Sequence, residues 1–296
     1  MGHLGGKIKE IRLIKGITQR ELAEGICTQA TISNLENETS LPSLSILLSI
    51  ADRLNIDFSE IYEYIAINGN SYSEIFKRVR VMCGQRKHKE AYDLIKEKIE
   101  FDKLGTPYEL KQYYYYIGIT NLIGFKNYSD AHYYFNLALS TVVGKNLDFL
   151  DVLATNGIGV AYLMDNELEK ARTYFEKSLV QLNEIIGTSN SLQDSLEITK
   201  IYYNTAKFYS SVEDYEKAIQ LSTLGIDLLH RENLSYYLDF LLYEKGFNLM
   251  KLGEKTEASE YYFYAAAMAK LNNNEHAIEG IKADMKKYKI PSYKYS

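Results

Sequence analysis

The sequence predicts an all-α chain in two parts. Residues 1–66 are expected to form a compact set of five short helices, and residues 67–296 a right-handed superhelix of stacked helical hairpins. Three observations lead there. Only 3 prolines, Pro42, Pro107 and Pro291, interrupt 296 residues, so long helices are permitted. Capping signals follow one another closely near the N-terminus. The rest repeats a pattern of small residue, aromatic and alanine at intervals of 40 or 47 residues.

Composition narrows the function. A hydrophobic fraction of 46% and a charged fraction of 25% are those of a soluble globular protein. No apolar run approaches the roughly 18 residues that a membrane span needs, and Met1 to Lys9 lacks a signal-peptide core. Cys27 and Cys83 form no CxxC pair, which points to a cytoplasmic chain with reduced thiols. Net charge is -5, yet Lys7, Lys9, Arg12, Lys15 and Arg20 gather at the start against the single acid Glu10. Such a basic edge can meet phosphates while the rest stays acidic.

The elements follow in order. Lys7 to Lys15 reads as a helix, with Leu4, Ile8, Ile11 and Ile14 on one side and Gly16 closing it. Thr18 caps a second helix, with Glu21 as its capping-box partner, and this helix runs through Leu22 and Ala23. After a short turn from Gly25 to Cys27, Thr28 caps a third helix, Gln29 to Glu36. Pro42 and Ser43 introduce a fourth, with Leu44, Leu47, Leu48 and Ala51 on one side, and a fifth is expected from near Asp57. Cys27 reads as a small buried hydrophobe.

The second and third helices, joined by a tight turn, are the arrangement that fits a helix into the major groove. The segments ITQRELAEGICTQATISNLE and LPSLSILLSIADRLNI resemble the lambda-repressor-like helix-turn-helix family over most of residues 4 to 65. The turn is one residue shorter than the common pattern, with Cys27 near the usual glycine. Gln29, Ala30, Thr31, Ser33 and Asn34 stand on the third helix, and its cap Thr28 belongs to the same surface. An amide at Gln29 or Asn34 can pair bidentately with adenine, and the methyls of Ala30 and Thr31 can touch thymine. Gln19, opening the second helix, can fix a phosphate.

Beyond residue 66 the repeats dominate. Gly159, Tyr162, Ala171 and Phe175 set the pattern. Ala206, Tyr209 and Ala218 repeat it, as do Gly246, Leu249, Ala258 and Tyr262; weaker copies centre on Ala91 with Ile95 and Ala131 with Phe135. This is the tetratricopeptide spacing, but the anchor alanines lie 40, 40, 47 and 40 residues apart, beyond the usual period of about 34. Longer helices or connections are therefore expected. Residues 187–195, GTSNSLQDS, read as a loop, and Glu275 to Tyr288 as a terminal capping helix. The 27 tyrosines are expected to be mostly interlocking core. Stacked hairpins of this kind build a concave wall suited to extended peptides. Asn156 and Asn204 stand near matching points of the first helices of the third and fourth repeats, where an amide can donate to and accept from a peptide backbone.

A helix-turn-helix joined to five degenerate repeats resembles the PlcR-type regulators of the RRNPP family of Gram-positive bacteria. The segments IKEIRLIKGITQRELAEGICTQ, IYEYI, VMCGQRKHKEAYDLI and YNTAKFYSSVEDYEKAI carry the likeness best. The resemblance implies a homodimeric, quorum-sensing transcription regulator that binds a palindromic DNA operator and a short signalling peptide in the repeat groove. It also implies that Asn156 and Asn204 hold the peptide backbone. Arg86 matches a basic position, while the neighbouring position that is basic in relatives is Gly84 here. Glu244 completes the expected peptide-binding set of Asn156, Asn204, Arg86 and Glu244.

Rival readings are a response-regulator phosphatase-like interaction protein, a mobile-element repressor and an enzyme. The intact helix-turn-helix weighs against the first as the main role. The five histidines, His3, His88, His132, His230 and His276, make no metal-ligand spacing. Gly157 and Gly159 follow no strand, so repeat packing explains them better than a dinucleotide loop. No catalytic residue, metal or other cofactor is expected.

Overall fold

The computed structural model describes residues 4–37, 39–40, 42, 44–56, 72–143, 147–186 and 192–290. These contain helices and no strand. They fall into two compact units, Met1–Ala154 with Asn183–Ser189, and Thr155–Leu182 with Asn190–Ser296. The expected boundary at residues 66 and 67, the helix expected from Asp57, the segment IYEYI, Ser43 and residues 187–191 lie outside the described residues.

The first unit opens with α1 (Leu4–Ile14), α2 (Gln19–Ala23), α3 (Gln29–Glu36) and α4 (Leu44–Leu54). Leu4, Ile8, Leu22, Ala23, Ile32, Leu35, Leu47 and Ile50 form their shared core. Gly16 leaves α1 at φ +68°, a backbone that favours glycine. The expected apolar face of α1 is only partly right, because Ile14 is 77% exposed. Residues three apart drift about 60° around a helix per step, whereas residues four apart drift about 40° the other way. The buried track is the second kind, Leu4, Ile8 and Arg12.

The repeats form five helical hairpins. They are α5 (Ser73–Gly84) with α6 (His88–Lys98), α7 (Pro107–Thr120) with α8 (Tyr128–Ser140), and α9 (Phe149–Met164) with α10 (Leu168–Ile186). Then come α11 (Leu192–Ser211) with α12 (Tyr215–Arg231), and α13 (Leu238–Leu252) with α14 (Lys255–Leu271). A single helix, α15 (Glu275–Lys287), follows, as expected of a cap. All five anchor alanines, Ala91, Ala131, Ala171, Ala218 and Ala258, are 0% exposed. The small residues explain themselves by contact. A Cβ on Gly159 would lie 3.2 Å from the Phe175 ring, and one on Gly118 2.8 Å from the Phe135 ring. Gly159 is thus a packing residue.

The 47-residue interval has a helical cause. Helices α10 and α11 run to 19 and 20 residues, and α11 begins at Leu192. Residues 192–195, expected to be loop, are its first turn. Their polar composition misled, because Ser195 is buried along with Glu197, Ile198 and Thr199. The tyrosines are also less interior than expected. Tyr108, Tyr113, Tyr115, Tyr116, Tyr203, Tyr209 and Tyr262 are buried, but Tyr133 and Tyr264 are exposed and most of the others are half-buried. Phenol oxygens prefer a polar partner or water, so rings pack at their edges with the hydroxyl outward.

Within the second unit, Phe175 stacks on Phe208 at 5.0 Å, joining two hairpins. Asp284 of α15 accepts hydrogen bonds from Tyr243 (2.7 Å) and Tyr262 (3.4 Å), which fastens α15 to the last hairpin. In the first unit the buried Lys111 of α7 pairs with Asp148 (2.8 Å) and Asp151 (2.6 Å) at the start of α9.

Candidate nucleic-acid interface and ligand-binding residues

The expected reading helix, α3, is built from local signals. Thr18 Oγ1 accepts from Glu21 N at 3.2 Å while Glu21 Oε2 accepts from Thr18 N at 2.6 Å, a complete capping box on α2. These bonds from Thr18 hold the Glu21 carboxyl below the ordinary carboxylate range. Thr28 Oγ1 accepts from Thr31 N at 3.2 Å and caps α3. Arg53 of α4 donates to the carbonyls of Leu22 at 3.1 Å and of Glu24, closing the end of α2. The short turn is thereby fixed from both sides.

One face of α3 is buried through Ile32, Leu35 and Glu36. The other presents Thr28, Gln29, Ala30 and Asn34 exposed, with Thr31 and Ser33 half-buried beside them. The expected reading residues therefore share one surface. Gln19 is half-buried and engaged on both sides of its amide. Its Nε2 donates to Glu36 Oε2 at 2.8 Å, and its Oε1 faces Gln29 Nε2 at 3.5 Å.

Sequence reading missed the root of this chain. Arg12 was assigned to the basic edge, but it is buried and donates to both oxygens of Glu36, at 2.6 and 2.9 Å, and to the Ile17 carbonyl at 2.9 Å. Burial raises the Glu36 carboxyl, but bonds from Arg12 and Gln19 outweigh it and hold it below its ordinary range. The bond from Glu36 likewise raises Arg12 above its own. Lys7, Lys9, Lys15 and Arg20 are exposed, as a basic edge requires. Half-buried Cys27 has its thiol pushed up by burial, consistent with an unreactive packing residue.

The expected peptide residues are divided between the units. Arg86 belongs to the first, exposed in the turn before α6 at φ +62°. Asn156, Asn204 and Glu244 belong to the second. There α9 and α11 bring the two amides into direct contact, with Asn204 Nδ2 donating to Asn156 Oδ1 at 2.9 Å. Asn156 is 2% exposed, and its Nδ2 donates to Ser178 at 3.1 Å and Thr205 at 3.4 Å. Asn204 is half-buried and retains one N–H and its carbonyl oxygen. Glu244 is buried between α11 and α13.

Among the described residues no group of three His, Cys, Asp or Glu is placed to hold a metal ion, and no helix is long and apolar enough to cross a membrane.

Fold and head together define a helix-turn-helix DNA-binding protein with a helical-repeat C-terminal region. Residues 8–61 match the helix-turn-helix family model. The whole-chain fold is that of PlcR of Bacillus thuringiensis, solved in complex with the peptide PapR7 and DNA. The two are 25% identical with a TM-score of 0.62, over 95% of this chain and 99% of that one. ComR of Streptococcus vestibularis, a competence regulator, matches at 18% identity and a TM-score of 0.56 over 97% and 98%. ComR of S. thermophilus, solved with DNA and its signalling peptide ComS, matches at 16% and 0.53 over 96% and 99%. No curated protein matches the sequence significantly. The likeness to the PlcR-type regulators read from the sequence thus holds in the head and across the fold.

Proposed function

We propose that this chain is a cytoplasmic, peptide-responsive transcription regulator that acts as a homodimer and is not an enzyme. Residues 1–66 read a palindromic double-stranded operator through Gln29, Ala30, Thr31, Ser33 and Asn34, with Gln19 and Thr28 at its edge. Residues 67–296 bind a short signalling peptide and hold the dimer together. The observation that carries this reading is the likeness to PlcR, which extends over both parts of the chain and is drawn from a structure holding both peptide and DNA.

Within the repeats, Asn204 offers a peptide group its free N–H and carbonyl, and Asn156 orients it. Arg86 takes an acidic side chain or the peptide carboxylate, and Glu244 contributes from α13. The test is fluorescence anisotropy on promoter fragments beside the gene, with synthetic peptides copied from short exported reading frames nearby. Salt-dependent binding that one peptide alters is expected, and the Asn156→Ala, Asn204→Ala double variant should bind DNA but lose that response. DNA binding with no sequence preference, or indifferent to every peptide, would overturn the proposal.

A further inference from the structure

The second unit contains three buried carboxylates on its first helices, Glu197, Asp239 and Glu244, and their surroundings differ. Asp239 of α13 accepts from Asn274 Nδ2 at 2.7 Å. Glu197 of α11 has a cation in place, because Lys200 Nζ lies 3.0 Å from its Oε2. Glu244 of α13 is 6% exposed and has no such partner among the described residues. Its carboxylate is bonded by Ser210 of α11 and by Asn248 Nδ2 at 3.2 Å. Lys207 of α11 attracts it from a distance and is itself exposed, so the site lies close beneath the surface. Burial pushes the carboxyl up against all three influences.

The donors here are exhausted. Asn248 Nδ2 has two N–H groups, one on Glu244 Oε1 and one on the Glu244 carbonyl at 2.7 Å. Asn248 is 0% exposed, and its Oδ1 is buried without a hydrogen-bond partner. The residue bonded to this carboxylate thus carries an unmet buried acceptor, and the carboxylate itself has hydrogen bonds but no ion-pair partner among the described residues. Buried polar atoms are ordinarily paired. The missing part is a donor, and a positively charged one supplies both the hydrogen bond that the amide lacks and the counter-charge that the carboxylate lacks. An ammonium brings three N–H groups and a guanidinium five. An apolar or anionic group would leave the Asn248 oxygen unmet and the carboxylate without a counter-charge.

We propose that Glu244 and Asn248 receive a cationic group of the bound peptide, either a lysine or arginine side chain or a free N-terminal amine. The inference rests on the peptide-binding reading above. Position supports it: Glu244 stands between α11 and α13 as the Asn156–Asn204 pair stands between α9 and α11. The two sites occupy successive gaps between first helices of the same unit.

The test is affinity selection from pools of short random peptides on the full chain, read by mass spectrometry. One pool has free N-termini and one is N-acetylated. The wild-type chain should enrich lysine or arginine at one position in both pools, or select only from the free-amine pool; the first outcome names a side chain and the second the N-terminus. Glu244→Gln should still select peptides but without that preference, and affinity for the best wild-type peptide should fall on the order of 30-fold or more. Unchanged helical circular dichroism and melting would show that this variant folds. Selected peptides with no cationic preference in either pool would overturn the proposal and leave the peptide reading standing. An unchanged preference in Glu244→Gln would do the same. Failure to select any peptide would overturn both.

Discussion

At the scale of residues, the head combines a polar surface with a buried ionic root. Gln29 and Asn34 are exposed amides on a capped helix, so their loss removes contacts without disturbing the fold. Gln29→Ala or Asn34→Ala should weaken operator binding by about 1–3 kcal/mol in a salt-controlled titration, with non-specific binding changed less. Wild-type operator affinity in both would remove α3 as the reader. Arg12 and Glu36 make a different case. Arg12→Met leaves a buried carboxylate unpaired and should cost the head about 3–5 kcal/mol, while Arg12→Met with Glu36→Leu should recover most of it. Hydrogen exchange in α1 and α3 reads this directly. Because Glu36 is held below its unfolded value, its stabilisation is full above the ordinary carboxylate range of about 4.3. It is lost as pH falls through the lowered folded value. Glu36→Gln should lack that acid limb. The pair was hidden in the sequence because partners 24 positions apart leave no periodic trace, and a lone arginine among lysines reads as surface.

At the scale of elements, the repeat pattern was readable because close approach of two helices admits few residue types. Alanine and glycine at the hairpin contacts are such places, and each anchor alanine proved fully buried. Lengths were harder to read. The polar start of α11 looked like a loop, since serine and aspartate serve turns and first helical turns equally. A paired substitution tests the packing account. A Cβ on Gly225 would lie 2.7 Å from Leu241, whose side chain is fully buried, whereas one on Gly280 meets nothing within 4 Å. Gly225→Ala should destabilise by about 1–3 kcal/mol through overpacking. Gly280→Ala, within α15, should stabilise by roughly 0.5–1 kcal/mol. Thermal melts that rank the two in the opposite order would refute the account.

At the scale of the whole molecule, the class of fold followed from patterns that recur many times along the chain. The repeat register singled out Asn156 and Asn204 as candidate ligand residues, but their direct bond was not legible, because matching positions in two repeats do not say which way either amide turns. A head with one short reading helix makes few base contacts, so two heads on a symmetric site are expected. The purified chain should sediment as a dimer without DNA, and removal of residues 1–66 should leave the dimer intact. A monomeric repeat region at micromolar concentration would contradict the proposed division of labour.

The hydrogen-bonded line from Arg12 through Glu36 and Gln19 to Gln29 has a consequence for heredity. Gln29 faces Gln19 at 3.5 Å, and Gln19 is itself held by the buried Glu36 behind it. Lineages that drift toward a new operator therefore have two routes, replacement of the reading amides or adjustment of their hidden support. A genetic screen for relaxed operator choice should return interior alleles at position 36 alongside surface alleles at 29 and 34.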